Sequence, residues 1–148
     1  MKQFSEVIKQ RIDMGWLSIT SGYGWREFQG KREWHNGIDL APRDVSNRRS
    51  LELEFTCKLF APISADPRLS ACGLGAFIYE KETLRWGVCH LRAIAVQPSG
   101  AIWLAIGSTG RSTGVHLHLT CAIFDRDKGW QEVDPLSILS NDSMQRIA

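Results

Sequence analysis

The chain has 148 residues, of which 43% are apolar and 23% charged, with a formal net charge of +2. That is the size and composition expected of one soluble globular domain. The charge is too small to argue for a nucleic-acid surface, and no run approaches the roughly 18 apolar residues that span a bilayer.

The opening segment MKQFSEVIKQRIDMGW has no apolar stretch of signal-peptide length and no small-residue cleavage pattern. The expectation is a chain made and folded in a cytoplasm. Phe4, Val7, Ile8 and Ile12 share one helical face and Gly15 supplies a stop, which predicts a short N-terminal helix within residues 1–16. Residues 42–50 read as a polar loop. Leu51, Leu53, Phe55, Cys57 and Leu59 then alternate with Glu52, Glu54, Thr56 and Lys58, which predicts one half-buried strand closed by Ala61-Pro62. Further short strands are expected near residues 76–80, 84–91, 101–106 and 115–124, separated by Gly, Pro and Ser clusters. The predicted fold class is mainly β: a single domain over 1–148 with an antiparallel sheet core at 17–140.

The cysteines, Cys57, Cys72, Cys89 and Cys121, form no C-x-x-C pair, which argues against a structural zinc knot. They read as reduced core residues. Strand alternation turns Cys121 away from the face that carries His118, and Cys89 away from its neighbour His90.

The four histidines, at 35, 90, 116 and 118, are the informative feature. In GVHLHLTC, His116 and His118 project from one face of a strand about 6.6 Å apart, while Leu117 and Leu119 point into the opposite layer. In His35-Asn36-Gly37-Ile38-Asp39 a straight strand would separate imidazole and carboxylate by roughly 13 Å. Asn-Gly is a poor helix interior and a strong turn signal, so a bend there brings the two groups together. A catalytic zinc takes three such protein ligands and leaves one position to water. It lowers the pKa of that water from about 15.7 to about 7, on the order of 12 kcal/mol. Neither motif is specific alone; together they use three of the four histidines. GSTGRSTG resembles a phosphate cradle but lacks the lysine and leads into a strand, so it reads as a turn that delivers His116. There is no H-E-x-x-H, and Ser112 sits in no G-x-S-x-G elbow.

The segments ITSGYGWRE, HNGIDLAP, LFAP, CHL, IGSTGRSTGVHLHL and VDPLSIL occur in that order over roughly Ile19 to Leu139. This pattern resembles the lysostaphin/LytM-type zinc metallopeptidases, which cleave cross-links and stems of bacterial peptidoglycan. The resemblance implies a compact antiparallel β core with a groove over one zinc ion held by His35, Asp39 and His118. It implies His116 as general base, and His90 as the group that polarises the carbonyl or stabilises the oxyanion, help commonly worth roughly 3–4 kcal/mol. Departures fall at the groove edges: Val115 where the family usually has Pro, Leu119-Thr120 where Phe-Glu is frequent, Cys89 where Ala is common, and a longer segment ISADPRLSACGLG. They bear on substrate choice, and no substrate-binding residue is assigned. The implied partner is peptidoglycan peptide, with no nucleic acid and no membrane span. The expected setting is a bacteriophage endolysin or virion-associated lysin acting on the wall after release or as part of a virion. The alternatives are a non-catalytic wall-binding module and a structural tail or scaffold protein of the same fold. The bond cleaved and the oligomeric state are left open.

Overall fold

Period-two patterning dominates the computed structural model as it does the sequence. The structure describes residues 1–63 and 71–139. Residues 64–70, within the long segment ISADPRLSACGLG, and residues 140–148 lie outside the described part. In chain order the elements are α1 (Phe4–Asp13), β1 (Leu17–Ser21), β2 (Gly24–Phe28), β3 (Lys31–His35), β4 (Ile38–Pro42), α2 (Arg48–Leu51), β5 (Glu52–Phe55), β6 (Leu59–Ile63), β7 (Leu74–Lys81), β8 (Leu84–Val96), β9 (Ile102–Ile106), β10 (Leu117–Asp125), β11 (Gly129–Val133) and α3 (Pro135–Leu139). The main sheet runs β1-β4-β10-β8-β7-β6, with β11 on the far half of β10, β9 on the far half of β8, and β5 on β9. Every pairing between these strands is antiparallel. The predicted mainly-β antiparallel core with a short N-terminal helix is the architecture observed.

One face of the sheet is the core. Ile38 and Leu40 of β4, Trp86 and Val88 of β8, and Leu117 and Leu119 of β10 are fully buried there. Helix α1 packs on this face, and the β2–β3 hairpin reaches over part of the other. Phe4 meets Phe55 at 5.0 Å and Trp86 at 5.7 Å between ring centroids. Its first turn is pinned by Glu80 of β7, whose carboxylate accepts from the Ser5 N–H and from the Ser5 hydroxyl, each at 2.8 Å. A carboxylate at a helix N-terminus is favoured by the free N–H groups and the dipole.

The strand expected over 51–59 is two strands. Leu51 closes the one-turn helix α2, β5 ends at Phe55, and β6 begins at Leu59. Leu53 and Phe55 are fully buried whereas Cys57 is half-buried, so the chain leaves the sheet at 56–58. There the Thr56 N–H donates to the Lys2 carbonyl at 2.9 Å. Pro62 lies inside β6 instead of ending it. Among the described residues β6 pairs only with β7, so an edge strand loses no ladder bond to the missing N–H.

The segment between residues 17 and 42 folds as β1, β4 and a separate β2–β3 hairpin. That hairpin turns through Gln29 and Gly30, both at positive φ (53° and 78°), a two-residue connection that matches strand twist. Its Trp25 and Trp34 form a cross-strand pair, 5.5 Å between centroids.

Candidate metal centre

Strands β3, β4, β8 and β10 deliver His35, Asp39, His90 and His118 to the face opposite the core, and the loop before β10 delivers His116. Asp39 of β4 and His118 of β10 are direct cross-strand partners. His35 ends β3, and the Asn36-Gly37 turn folds it back over Asp39. That turn lies tight on β10: a Cβ on Gly37 would run into the Leu119 carbonyl, so glycine is what the packing admits. His35 Nε2 lies 3.3 Å from Asp39 Oδ1 and 3.3 Å from His118 Nδ1, and His118 Nδ1 lies 3.0 Å from Asp39 Oδ1. Nitrogen and oxygen donors at roughly 2.0–2.1 Å from a tetrahedral ion stand about 3.3–3.4 Å apart, so the triangle has the edges of a zinc-sized tetrahedron. Three electron-rich atoms this close repel unless a proton or a cation lies among them. This His35, Asp39 and His118 group could hold a metal ion.

The remaining ring nitrogens are committed elsewhere. The His35 Nδ1–H donates to the Gly22 carbonyl at 2.8 Å, and the His118 Nε2–H donates to Asn36 Oδ1 at 3.0 Å. A carbonyl can only accept, so these bonds fix the tautomers that leave His35 Nε2 and His118 Nδ1 as lone pairs. Asp39 is half-buried. Burial alone would raise its pKa, but when both rings carry a second proton in the place a cation would take, hydrogen bonds from His118 and His35 and their charge outweigh that and hold its carboxyl well below the usual carboxylate range. Its Oδ2 faces Arg26 Nη1 at 3.4 Å, which leaves Oδ1 to the histidines. Arg26 is itself held by Glu33 at 2.8 Å and donates to Ser21 Oγ at 2.6 Å.

His116 and His90 stand beside the triangle, 4.7 Å apart between ring centroids. The GSTGRSTG turn does deliver His116: its N–H donates to the Gly107 carbonyl at 3.1 Å, and its Nδ1–H to the Gly114 carbonyl at 2.9 Å. Nε2 is left as a lone pair, 3.8 Å from Asp39 Oδ1. His90 is buried, and its Nδ1–H donates to the Thr109 carbonyl at 2.7 Å. Burial lowers its pKa; the Thr109 bond opposes this, and the neighbouring His116 and His118 add to the lowering.

His90 also explains two departures from the sequence expectation. Its φ is +68°, a left-handed residue within β8, held by its N–H donating to the Cys72 carbonyl at 2.7 Å and its carbonyl accepting from Gly107 at 3.0 Å. The strand alternation slips there, so Cys89 does not sit behind the site but on its face, the cross-strand partner of His118. Nor is Cys89 a free thiol: it forms a disulfide with Cys72, which the antiparallel β7–β8 ladder brings alongside it. Cys57 and Cys121 are free, and Cys121 is buried as expected.

The cluster opens on one side into a cleft of about 760 Å³ edged by Arg26, Lys31, Glu33, Arg111 and His116. On the other side a groove of about 380 Å³ runs from Asn36 and His118 along β8 and β10 to Arg85 and Trp130. Sequence reasoning singled out all four histidines and Asp39, which the structure brings together. It treated Asn36 only as a turn residue, and passed over Arg26, Gly22 and Thr109. The first two of these lie in the quoted YGWRE neighbourhood, but nothing in their spacing marks them as partners of Asp39 and His35.

By sequence, no protein-family model and no curated protein matches the chain. Solved structures do. A catalytic-domain variant of the prophage-encoded M23 protein EnpA from Enterococcus faecalis superposes with a TM-score of 0.55 at 23% identity, over 80% of this chain and 88% of that one. The catalytic domain of lysostaphin from Staphylococcus simulans gives 0.54 at 19%, over 84% and 92%. A chain of the SpoIIIAH–SpoIIQ complex gives 0.53 at 15%, over 86% and 95%. At these identities the likeness speaks for architecture. The chain has the LytM-type fold of the M23 peptidases.

Proposed function

We propose that this protein is a zinc-dependent endopeptidase that hydrolyses peptide bonds of bacterial peptidoglycan, with His35, Asp39 and His118 as metal ligands. One observation carries the reading: three donor atoms at tetrahedral-edge spacing, their tautomers fixed by outer hydrogen bonds, facing an open cleft that two further imidazoles line. The fold alone does not carry it, because the same fold occurs in the SpoIIIAH–SpoIIQ complex. The donor set, complete in this chain, does.

A zinc ion held there supplies Lewis-acid polarisation of the scissile carbonyl and acidifies water. The chain supplies the rest. His116, with its Nδ1–H given to Gly114, offers Nε2 as the base that takes the proton from attacking water. His90 presents Nε2 beside it. That atom is an acceptor while the ring is neutral, so His90 stabilises the developing oxyanion only as imidazolium. The Thr109 carbonyl favours that form, whereas burial and the adjoining imidazoles oppose it. The proton that the leaving amine needs is the one His116 takes from the attacking water, passed on directly or through the adjoining His90.

The setting we propose is bacteriophage lysis, as an endolysin or a virion-associated lysin acting on the wall after release or from a virion. A prophage-encoded protein stands among the structural neighbours in support. The deciding experiment incubates the protein with purified sacculi and identifies released fragments by mass spectrometry, with zinc measured by elemental analysis. Expected are peptide-bond cleavage abolished by chelator, zinc loss in His118→Ala, and full zinc with turnover reduced by roughly 10²–10⁴-fold in His116→Ala. Wall binding without any cleavage by the zinc-loaded protein would overturn the reading in favour of a binding or scaffold module.

A further inference from the structure

The groove that leaves the metal centre along the sheet ends at a guanidinium stacked between two rings. Arg85 of β8 lies 4.4 Å from the Phe77 ring centroid and 4.5 Å from that of Trp130. Trp130 is braced in turn by Phe124 at 5.4 Å and Tyr79 at 5.7 Å. The two ring quadrupoles attract the cation and hold it at this place. Among the described residues none of its N–H donors meets a carboxylate or other acceptor. A guanidinium held between rings, its donors unclaimed among the described residues, is a fork suited to a carboxylate.

The floor between this fork and the metal centre is built of successive cross-strand rows. His118 pairs with Cys89, Thr120 with Gly87, and Ala122 with Arg85, so these rows follow one another down the groove. At the middle row the Thr120 hydroxyl lies over Gly87 where a Cβ would stand, so glycine lets the Thr120 side chain lie flat against the floor. The four strand residues from the His118 row to the Arg85 row span about 13 Å, the reach of about four residues of extended peptide.

We propose that Arg85 is a specificity residue that captures a carboxylate of the substrate peptide about four residues from the scissile bond, so that the enzyme selects acidic peptides. Glu132 of β11 stands in the same row, paired with Ala122 from the other side, and lines the same groove. It repels a second carboxylate and confines the anion to the Arg85 side. The proposal takes its substrate class from the hydrolase reading above, whereas the carboxylate preference rests on the stacked guanidinium alone.

The test is a titration of the zinc-loaded protein, following the indole N–H signal of Trp130 by nuclear magnetic resonance. The probes are muropeptides released from purified sacculi by a muramidase, with carboxyl groups either free or converted to amides. The free pool is expected to bind roughly 10- to 100-fold more tightly, the range of a charge-assisted fork. In Arg85→Gln the two affinities converge, and in Glu132→Gln the free pool binds more tightly. Arg85→Lys retains the charge and loses the fork, giving an intermediate preference, and it serves if the glutamine variant does not fold. Equal affinity of the wild type for both pools, binding of neither, or discrimination that survives in Arg85→Gln would overturn the proposal. Discriminating binding without cleavage would instead sink the peptidase reading and leave the anchor standing, while cleavage without discrimination does the reverse.

Discussion

Asn36→Ala offers a sharp test of how the ligand triangle is held. His118 Nδ1 is pulled two ways: Asp39 Oδ1 at 3.0 Å invites a proton onto Nδ1, and Asn36 Oδ1 at 3.0 Å draws it onto Nε2 instead. Only the second arrangement leaves Nδ1 free for a metal. Removing the Asn36 acceptor leaves the carboxylate unopposed, so the proton moves onto the atom that has to ligate. The hydrogen bond itself is worth about 1 kcal/mol to folding. Loss of such an outer partner typically costs a further 10- to 100-fold in metal affinity, or about 1.4–2.7 kcal/mol. Competition against a chromophoric zinc chelator measures the affinity directly, and thermal melting of the stripped protein measures the folding part. Asn36→Asp keeps an acceptor in place and is expected to bind zinc at least as well as the wild type. If the alanine and aspartate variants have the same zinc affinity, the tautomer argument is wrong.

Two further predictions concern the frame around the site. Thiol titration of the denatured, unreduced protein is expected to give two equivalents, Cys57 and Cys121, rising to four after reduction; four before reduction would exclude the Cys72–Cys89 bond. In the native state Cys121 is expected to be silent near pH 8, because burial pushes its thiol up to about 12. Phe4→Ala removes the fully buried ring that fastens α1 to Phe55 and Trp86, at an expected cost of about 3–5 kcal/mol in denaturant unfolding. A loss below about 1 kcal/mol would mean that α1 is dispensable to the core.

The legible parts of this molecule were those in which one local rule acts alone. Alternation placed Leu117 and Leu119 in the core and His118 opposite them. The Asn-Gly turn signalled the bend that folds His35 onto Asp39. Where two influences compete, the reading failed. Alternation sent Cys89 away from the site, but a left-handed His90 resets the strand, and an L-residue at positive φ leaves no pattern in sequence. The Cys72–Cys89 bond follows from a ladder between distant segments, which no spacing motif announces. The β2–β3 hairpin went unseen because its strands carry exposed tryptophans and charges on both faces, and its turn is Gln-Gly instead of Asn-Gly. Arg85 looked like any charged residue in an alternating strand; only the rings around it give it meaning.

The pairing of β4 with β10 has a consequence for how this chemistry can be won or lost. Asp39 and His118 are opposed by the ladder itself, and the leucines that secure that ladder point the other way. Framework and donor set are thus separable: other residues that tolerate a sheet surface could occupy those two positions on the same ladder. A lineage could silence such an enzyme, or awaken one, by exchanging a few side chains on a platform that never has to be rebuilt.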